Sequence, residues 1–181
     1  MPELVLQGQQ VSSVLQNCIA GSRSSQKLLY DYFAPRMFAI CLRYAKDYHN
    51  AEDILQDGFV KVFNHIDRFR GEGSFEGWMK RIFINTAIEH YRKAQNHSGH
   101  SDIDTVQAEP IASKAGGLLA RQDLMKLVQS LPVGYRTIFN LYAIEGYTHR
   151  EIGEMLSISE GTSKSQLARA RTTLQRMLAE L

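Results

Sequence analysis

The side chains that could do chemistry here are hydrogen-bond donors, cations and aromatics rather than nucleophiles. The histidines (His49, His65, His90, His97, His100, His149) are scattered and none sits in a nucleophile–base arrangement. His97, His100, Asp102 and Asp104 have spacing that would permit a metal, but they fall in a stretch rich in Asn, Ser and Gly that offers no scaffold. Cys18 and Cys41 lack CxxC spacing, so neither a zinc site nor a disulfide framework is expected. The expectation is therefore no catalytic residue, no metal, no cofactor and no small-molecule substrate. The protein binds rather than reacts.

What it binds is written most clearly between residues 147 and 179. Tyr147-Thr148-His149-Arg150-Glu151 puts Thr148 and Glu151 at capping-box spacing. Ile152, Met155 and Leu156 follow as a short apolar stripe, Ser159 is placed to cap a second helix, and from Gly161 to Ala179 that helix has Lys164, Arg169, Arg171 and Arg176 and no acid. At about 100° per residue, Leu167, Ala170, Leu174 and Leu178 form its core face, while Thr162, Ser165, Arg169, Thr172 and Arg176 lie opposite. Lys164 and Arg171 flank the apolar side, where long stems lie along the core edge and the charges reach phosphates. A short capped helix, a tight turn and a longer cationic helix make a helix-turn-helix, which places the second helix in a DNA major groove.

Two further strips lie upstream. The helix expected from a cap at Asn50 to about Ile66 turns Ile54, Leu55, Gly58, Phe59, Val62 and Ile66 inward and Asp53, Gln56, Asp57, Val60 and Asn64 outward. Two carboxylates, an amide and an outward valine make either a docking strip for a basic surface or a solvated acidic face near a helix start. The loop Phe69-Arg70-Gly71-Glu72-Gly73 leads to Ser74, a cap for a helix bearing Phe75, Trp78, Lys80, Arg81, Asn85, Tyr91, Arg92 and Lys93. Aromatics among cations suit unpaired bases, which stack at ~1–3 kcal/mol each, and Asn85 can hydrogen-bond an extruded base. Core packing accounts for part of that set, Trp78 first.

These strips need helices to carry them, and nearly all the periodicity is helical. The fold class is all-α: two small helical domains joined by a flexible linker, the C-terminal one a helix-turn-helix. The 181 residues, 44% hydrophobic with net charge +2, suffice for two cores, and the charge alone announces no partner. Residues 1–23 read as an N-terminal extension, 24–95 as the first domain, 96–117 as an acidic linker (one Lys114 against Asp102, Asp104 and Glu109) and 118–181 as the second domain. No apolar run approaches a membrane span and no secretory signal opens the chain, so a soluble cytoplasmic protein without membrane insertion is expected.

The strings Ala51-Glu52-Asp53-Ile54-Leu55-Gln56-Asp57-Gly58-Phe59, Phe69-Arg70-Gly71, Phe75-Glu76-Gly77-Trp78-Met79-Lys80-Arg81 through Asn85-Thr86-Ala87, Tyr91-Arg92-Lys93, Leu131-Pro132, Tyr135-Arg136 and Glu145-Gly146-Tyr147 onward, in that order and spacing, resemble the extracytoplasmic-function (ECF) sigma factors of bacterial RNA polymerase. The resemblance implies an alternative sigma factor, not an enzyme, that binds core RNA polymerase and directs promoter recognition and transcription initiation. It implies that Asp53, Gln56, Asp57 and Val60 dock on the polymerase's largest subunit. Phe69, Arg70, Gly71, Ser74, Phe75, Lys80, Arg81 and Asn85 would meet the melted minus-ten element. Lys164, Ser165, Ala168, Arg169 and Arg171, with Thr162, would meet the minus-thirty-five duplex, and Tyr147 and Thr148 its phosphates. The linker would thread the RNA path, and an anti-sigma factor is an implied partner. In place of the Asp that the family often has four residues after the helix Asn, this chain has Glu89. The competing reading is a stand-alone dimeric helix-turn-helix transcriptional regulator, which would require palindromic sites.

Overall fold

The computed structural model describes residues 5–6, 9–97 and 121–179, with side chains from residue 11 to 95 and from 126 to 179. Apart from a two-residue antiparallel ladder, β1 (Val5–Leu6) with β2 (Gln9–Gln10), every regular element described is helical. The linker expected over 96–117 lies outside the described residues except at its first two, as does the metal spacing beyond His97. Two compact units form, residues 1–42 with 47–87 and residues 43–46 with 88–181.

The first unit is built on α1 (Val11–Ile19), α2 (Arg23–Tyr44), α3 (Tyr48–His65), a 3-10 turn (Ile66–Arg68) and α4 (Phe75–His97), the last turns of α2 and α4 belonging to the second unit. The expected N-terminal extension thus contains a helix, and Val14 and Cys18 on it are buried. Only two of its nine residues are buried, too few to mark a periodic apolar face in the sequence. α3 starts earlier than the Asn50 cap predicted, because Asp47 caps it, its carboxylate accepting from the Asn50 N–H at 2.8 Å. Ser74 caps α4 as expected, its hydroxyl accepting from the Gly77 N–H at 3.0 Å. The core stacks Leu29, Phe33 and Met37 of α2 on Ile54, Phe59 and Val62 of α3 and Met79, Phe83 and Ile84 of α4, all buried. Gly58 lets α3 and α4 approach: a Cβ there would stand 2.3 Å from Phe83 Cε1.

The second unit holds α5 (Arg121–Ser130), α6 (Val133–Phe139), one π turn (Asn140–Ile144), α7 (His149–Leu156) and α8 (Glu160–Ala179). Leu127, Val128, Leu131 and Tyr135 close on Ala170 and Leu174, with Phe139 and Met177 packed against them. The wheel placed Leu178 in this core; it is 38% exposed and Met177 takes its place. Arg136 is almost wholly buried, its Nη1 donating to the Gln129 carbonyl at 2.6 Å, and desolvation pushes its pKa down to about 10.

Candidate nucleic-acid interface

The capping box predicted at the start of α7 is complete. Thr148 Oγ1 accepts from the Glu151 N–H and the Glu151 carboxylate accepts from the Thr148 N–H at 2.8 Å. That backbone bond, with the Thr148 hydroxyl bond at 2.7 Å, holds Glu151 below the usual carboxylate range. The Thr148 hydroxyl is therefore already engaged, and the residue is exposed at the helix start. Tyr147 is half-buried and anchored through its N–H to the Leu141 carbonyl at 3.0 Å.

The turn between α7 and α8 is fixed by backbone. Ser157 takes a left-handed conformation (φ 57) to close α7, and the Ile158 N–H returns to the Gly153 carbonyl at 3.0 Å. The chain passes so near α7 that a Cβ on Gly153 would meet the Ile158 carbonyl oxygen at 2.9 Å. Ser159 then caps α8, accepting from the Thr162 N–H at 3.0 Å, and its hydroxyl is also bonded to Thr162 Oγ1 at 2.8 Å, so Thr162 is tied into the turn and half-buried.

On α8, Ser163, Gln166, Leu167, Ala170 and Leu174 are buried, and Lys164, Ser165, Ala168, Arg169, Arg171, Thr172 and Arg176 are exposed. Of the α8 residues expected at the duplex, Lys164, Ser165, Ala168, Arg169 and Arg171 are thus exposed and Thr162 is not. Three features went unread. The helix begins at Glu160, so it does carry an acid, and Glu160 pairs with Lys164 at 2.6 Å. The His149 ring bonds the buried Ser163 hydroxyl through Nδ1 at 2.9 Å and stacks on Tyr142 (centroids 4.4 Å apart). The Arg171 guanidinium lies over that same Tyr142 ring at 5.7 Å, which directs it along the flank of the helix. The Glu160–Lys164 pair was legible as an i,i+4 spacing; the Tyr142 stack depends on the π turn and was not.

In the first unit the loop from Phe69 to Ser74 is opened by Gly71 (φ 76) and Gly73 (φ 84), which take the left-handed region. Its aromatics join one cluster: Phe69 meets Phe75 at 5.2 Å and Trp78 at 5.8 Å, Phe75 stacks on Trp78 at 5.5 Å and reaches Phe33 of the core at 5.8 Å. Phe75 is buried and so supports the loop from below instead of offering a ring to a base, while Phe69 and Trp78 keep partial exposure. Arg70, Ser74, Arg81 and Asn85 are exposed and Lys80 half-buried. Trp78, Arg81 and Asn85 recur at helical spacing along one side of α4. On α3, Asp53, Gln56, Asp57 and Val60 all point outward, Val60 57% exposed.

Among the described residues no group of three or more His, Cys, Asp or Glu is placed to hold a metal ion, and no helix is long and apolar enough to cross a membrane.

Comparison with known proteins matches residues 29–97 to Sigma-70 region 2 and residues 121–174 to Sigma-70, region 4. The chain is 25% identical to the RNA polymerase sigma-H factor of Pseudomonas aeruginosa over 189 residues, spanning 98% of each. It is 26% identical to the ECF RNA polymerase sigma-E factor of Escherichia coli K12 over 175 residues, 89% of this chain and 90% of the other. Among solved structures it resembles the sigma factor RpoE of Bartonella quintana, there in complex with the anti-sigma factor NepR. The TM-score is 0.50 at 25% identity, covering 84% of this chain and 96% of that one.

Proposed function

Because this chain belongs to the sigma-70 family, in its extracytoplasmic-function branch, and is an alternative sigma factor that directs promoter recognition, we propose how its residues divide that work. The outward side of α8, with Lys164, Ser165, Ala168, Arg169 and Arg171, reads the minus-thirty-five element as duplex. The glycine-opened loop after α3, with Arg70, Lys80, Arg81 and Asn85, takes the minus-ten element as separated strand. Asp53, Gln56, Asp57 and Val60 dock on core RNA polymerase. The protein is not an enzyme, it works in the cytoplasm, and a protein that restrains it, as NepR pairs with RpoE, completes its set of partners.

The observation that carries this reading is the segregation on α8: Leu167, Ala170 and Leu174 lie inward and every cation lies outward, behind a turn held by backbone contacts. Each grip is weak alone, and polymerase, by holding both at a set spacing, makes them multiply. Opening the duplex costs several kcal/mol, which base stacking and polymerase contacts offset. The dimeric-regulator reading is not favoured, since two sigma regions match in order along one chain.

Run-off transcription with purified core polymerase tests it. The free chain should bind promoter duplex poorly and gain specificity only with polymerase; tight, palindrome-dependent binding by a homodimer would reverse the reading. Asp57→Arg should lower polymerase affinity roughly tenfold or more without changing the circular dichroism spectrum, because placing like charges across an interface costs several kcal/mol. An unchanged affinity removes the docking strip. Asn85→Ala should slow strand opening, followed by permanganate reactivity of unpaired thymines, by roughly tenfold for ~1–2 kcal/mol of lost base contact. Equal losses in initial duplex binding would assign Asn85 a structural role.

A further inference from the structure

The leading turn of α8 bears a pair of opposite charges that the assigned contacts do not use as a unit. The Glu160 carboxylate stands 2.6 Å from Lys164 Nζ one turn on, and both side chains are more than half exposed (51% and 59%). No core contact asks for either. The hydrogen bond and charge of Lys164, with weaker fields from His149 and Arg150, hold Glu160 below the usual carboxylate range, so it is an anion at neutral pH. An anion at the end of a helix that enters a DNA groove is repelled by phosphates, and in the groove its favourable partners are amino groups. Cytosine N4 is the one that carboxylates read, and the guanine paired with it sets O6 and N7 alongside, the acceptors that lysine reads. An acceptor and a donor held 2.6 Å apart complement the two halves of that single base-pair edge.

We propose that Glu160 and Lys164 together read one G·C pair of the duplex element, the carboxylate accepting from the cytosine N4 amino group and the ammonium donating to guanine O6 and N7. The proposal rests on the reading of α8 as the duplex-reading helix and deepens it: Glu160 becomes a specificity-determining residue beside the cations. Thymine in the cytosine's place would turn an O4 acceptor and a methyl toward the carboxylate, so the pair rejects A·T in that orientation.

The test is selection of minus-thirty-five sequences from a randomised promoter library by the full chain assembled with core polymerase. The wild type should select G·C at one position. Glu160→Ala should cut that preference at least about fivefold, the low end of one good base contact, with other positions unchanged. Glu160→Gln should move the choice toward adenine, whose N6 and N7 suit an amide. Lys164→Ala should weaken the same pair. If Glu160→Ala tightens binding to all sequences alike and leaves the preferences intact, the carboxylate only masks the lysine and the proposal is overturned. A wild type that selects promoters with no G·C preference anywhere overturns it too, while the sigma-factor reading stands. A wild type that selects no sequence with polymerase brings down that reading itself.

Discussion

Gly153→Val is expected to abolish recognition of the minus-thirty-five duplex while the first unit stays folded. A Cβ at this position stands 2.9 Å from the Ile158 carbonyl oxygen, 3.6 Å from the Glu160 nitrogen and 3.7 Å from the Ser159 carbonyl carbon. All three atoms are backbone, so no rotamer change relieves the clash, and valine adds two methyl groups to it. Forcing extra carbons into a packed contact costs about 1–3 kcal/mol. The larger consequence is geometric. Ser157, Ile158 and Ser159 set the angle at which α8 leaves α7, and Lys164, Ser165 and Arg169 point where that angle sends them. Losing two base or phosphate contacts at ~1–3 kcal/mol each predicts roughly a hundredfold fall in transcription from a promoter that needs the minus-thirty-five element. Transcription from templates with that element and without it, alongside amide hydrogen exchange across α3 and the part of α4 up to Ala87, measures both halves. Normal selectivity in Gly153→Val would mean that the turn has slack that the backbone contacts do not show.

The second large effect is on stability. Gly58→Val should destabilise the first unit by about 3 kcal/mol or more. A Cβ on Gly58 would lie 2.3, 2.6 and 2.8 Å from Cε1, Cδ1 and Cζ of Phe83. The ring cannot swing away, because Phe83 is fully buried and meets Phe59 edge-on at 5.2 Å. Glycine inside a helix costs about 1 kcal/mol relative to alanine, so its place in the middle of α3 is explained by the ring that occupies its space. Phe83→Leu alone should also destabilise, by removing buried ring carbons. In the double variant the two losses should fail to add by more than about 1 kcal/mol, as expected for side chains in contact. Chemical denaturation of the four proteins gives the cycle, and strict additivity would deny that Gly58 and Phe83 share one space. This contact also sets the distance between the acidic strip of α3 and the Asn85 side of α4, so milder changes at Gly58 should alter docking and strand capture together.

The helix-turn-helix was legible because its signals are local: a Thr148–Glu151 box, a Ser159 cap and apolar residues three and four apart. The two faces of α3 were legible for the same reason, since one wheel sorts the outward Asp53, Gln56, Asp57 and Val60 from the buried Ile54, Phe59 and Val62. What the sequence hid was set by tertiary contact. Phe75 looks like one more aromatic beside a basic loop until Phe33 is found beneath it. Leu178 and Met177 are one residue apart, and only the packing of Met177 against the second unit's core cluster decides which is covered. Asp47 caps in place of Asn50: both are good cap residues, and Asp47 holds the extended cap backbone (φ −147, ψ −179) while its carboxylate accepts from the Asn50 N–H. The helix expected from Gly161 begins one residue earlier, at Glu160, because the Ser159 cap makes Glu160 its first residue.

Both cysteines are buried on the first unit's helices, Cys18 on α1 and Cys41 on α2, and burial raises both thiols, Cys41 to about 12. The nucleophilic form of a thiol is its thiolate, and at neutral pH a group of that acidity is ionised about once in 10⁵ molecules. Neither thiol is therefore open to peroxides or electrophiles while the helices stay closed.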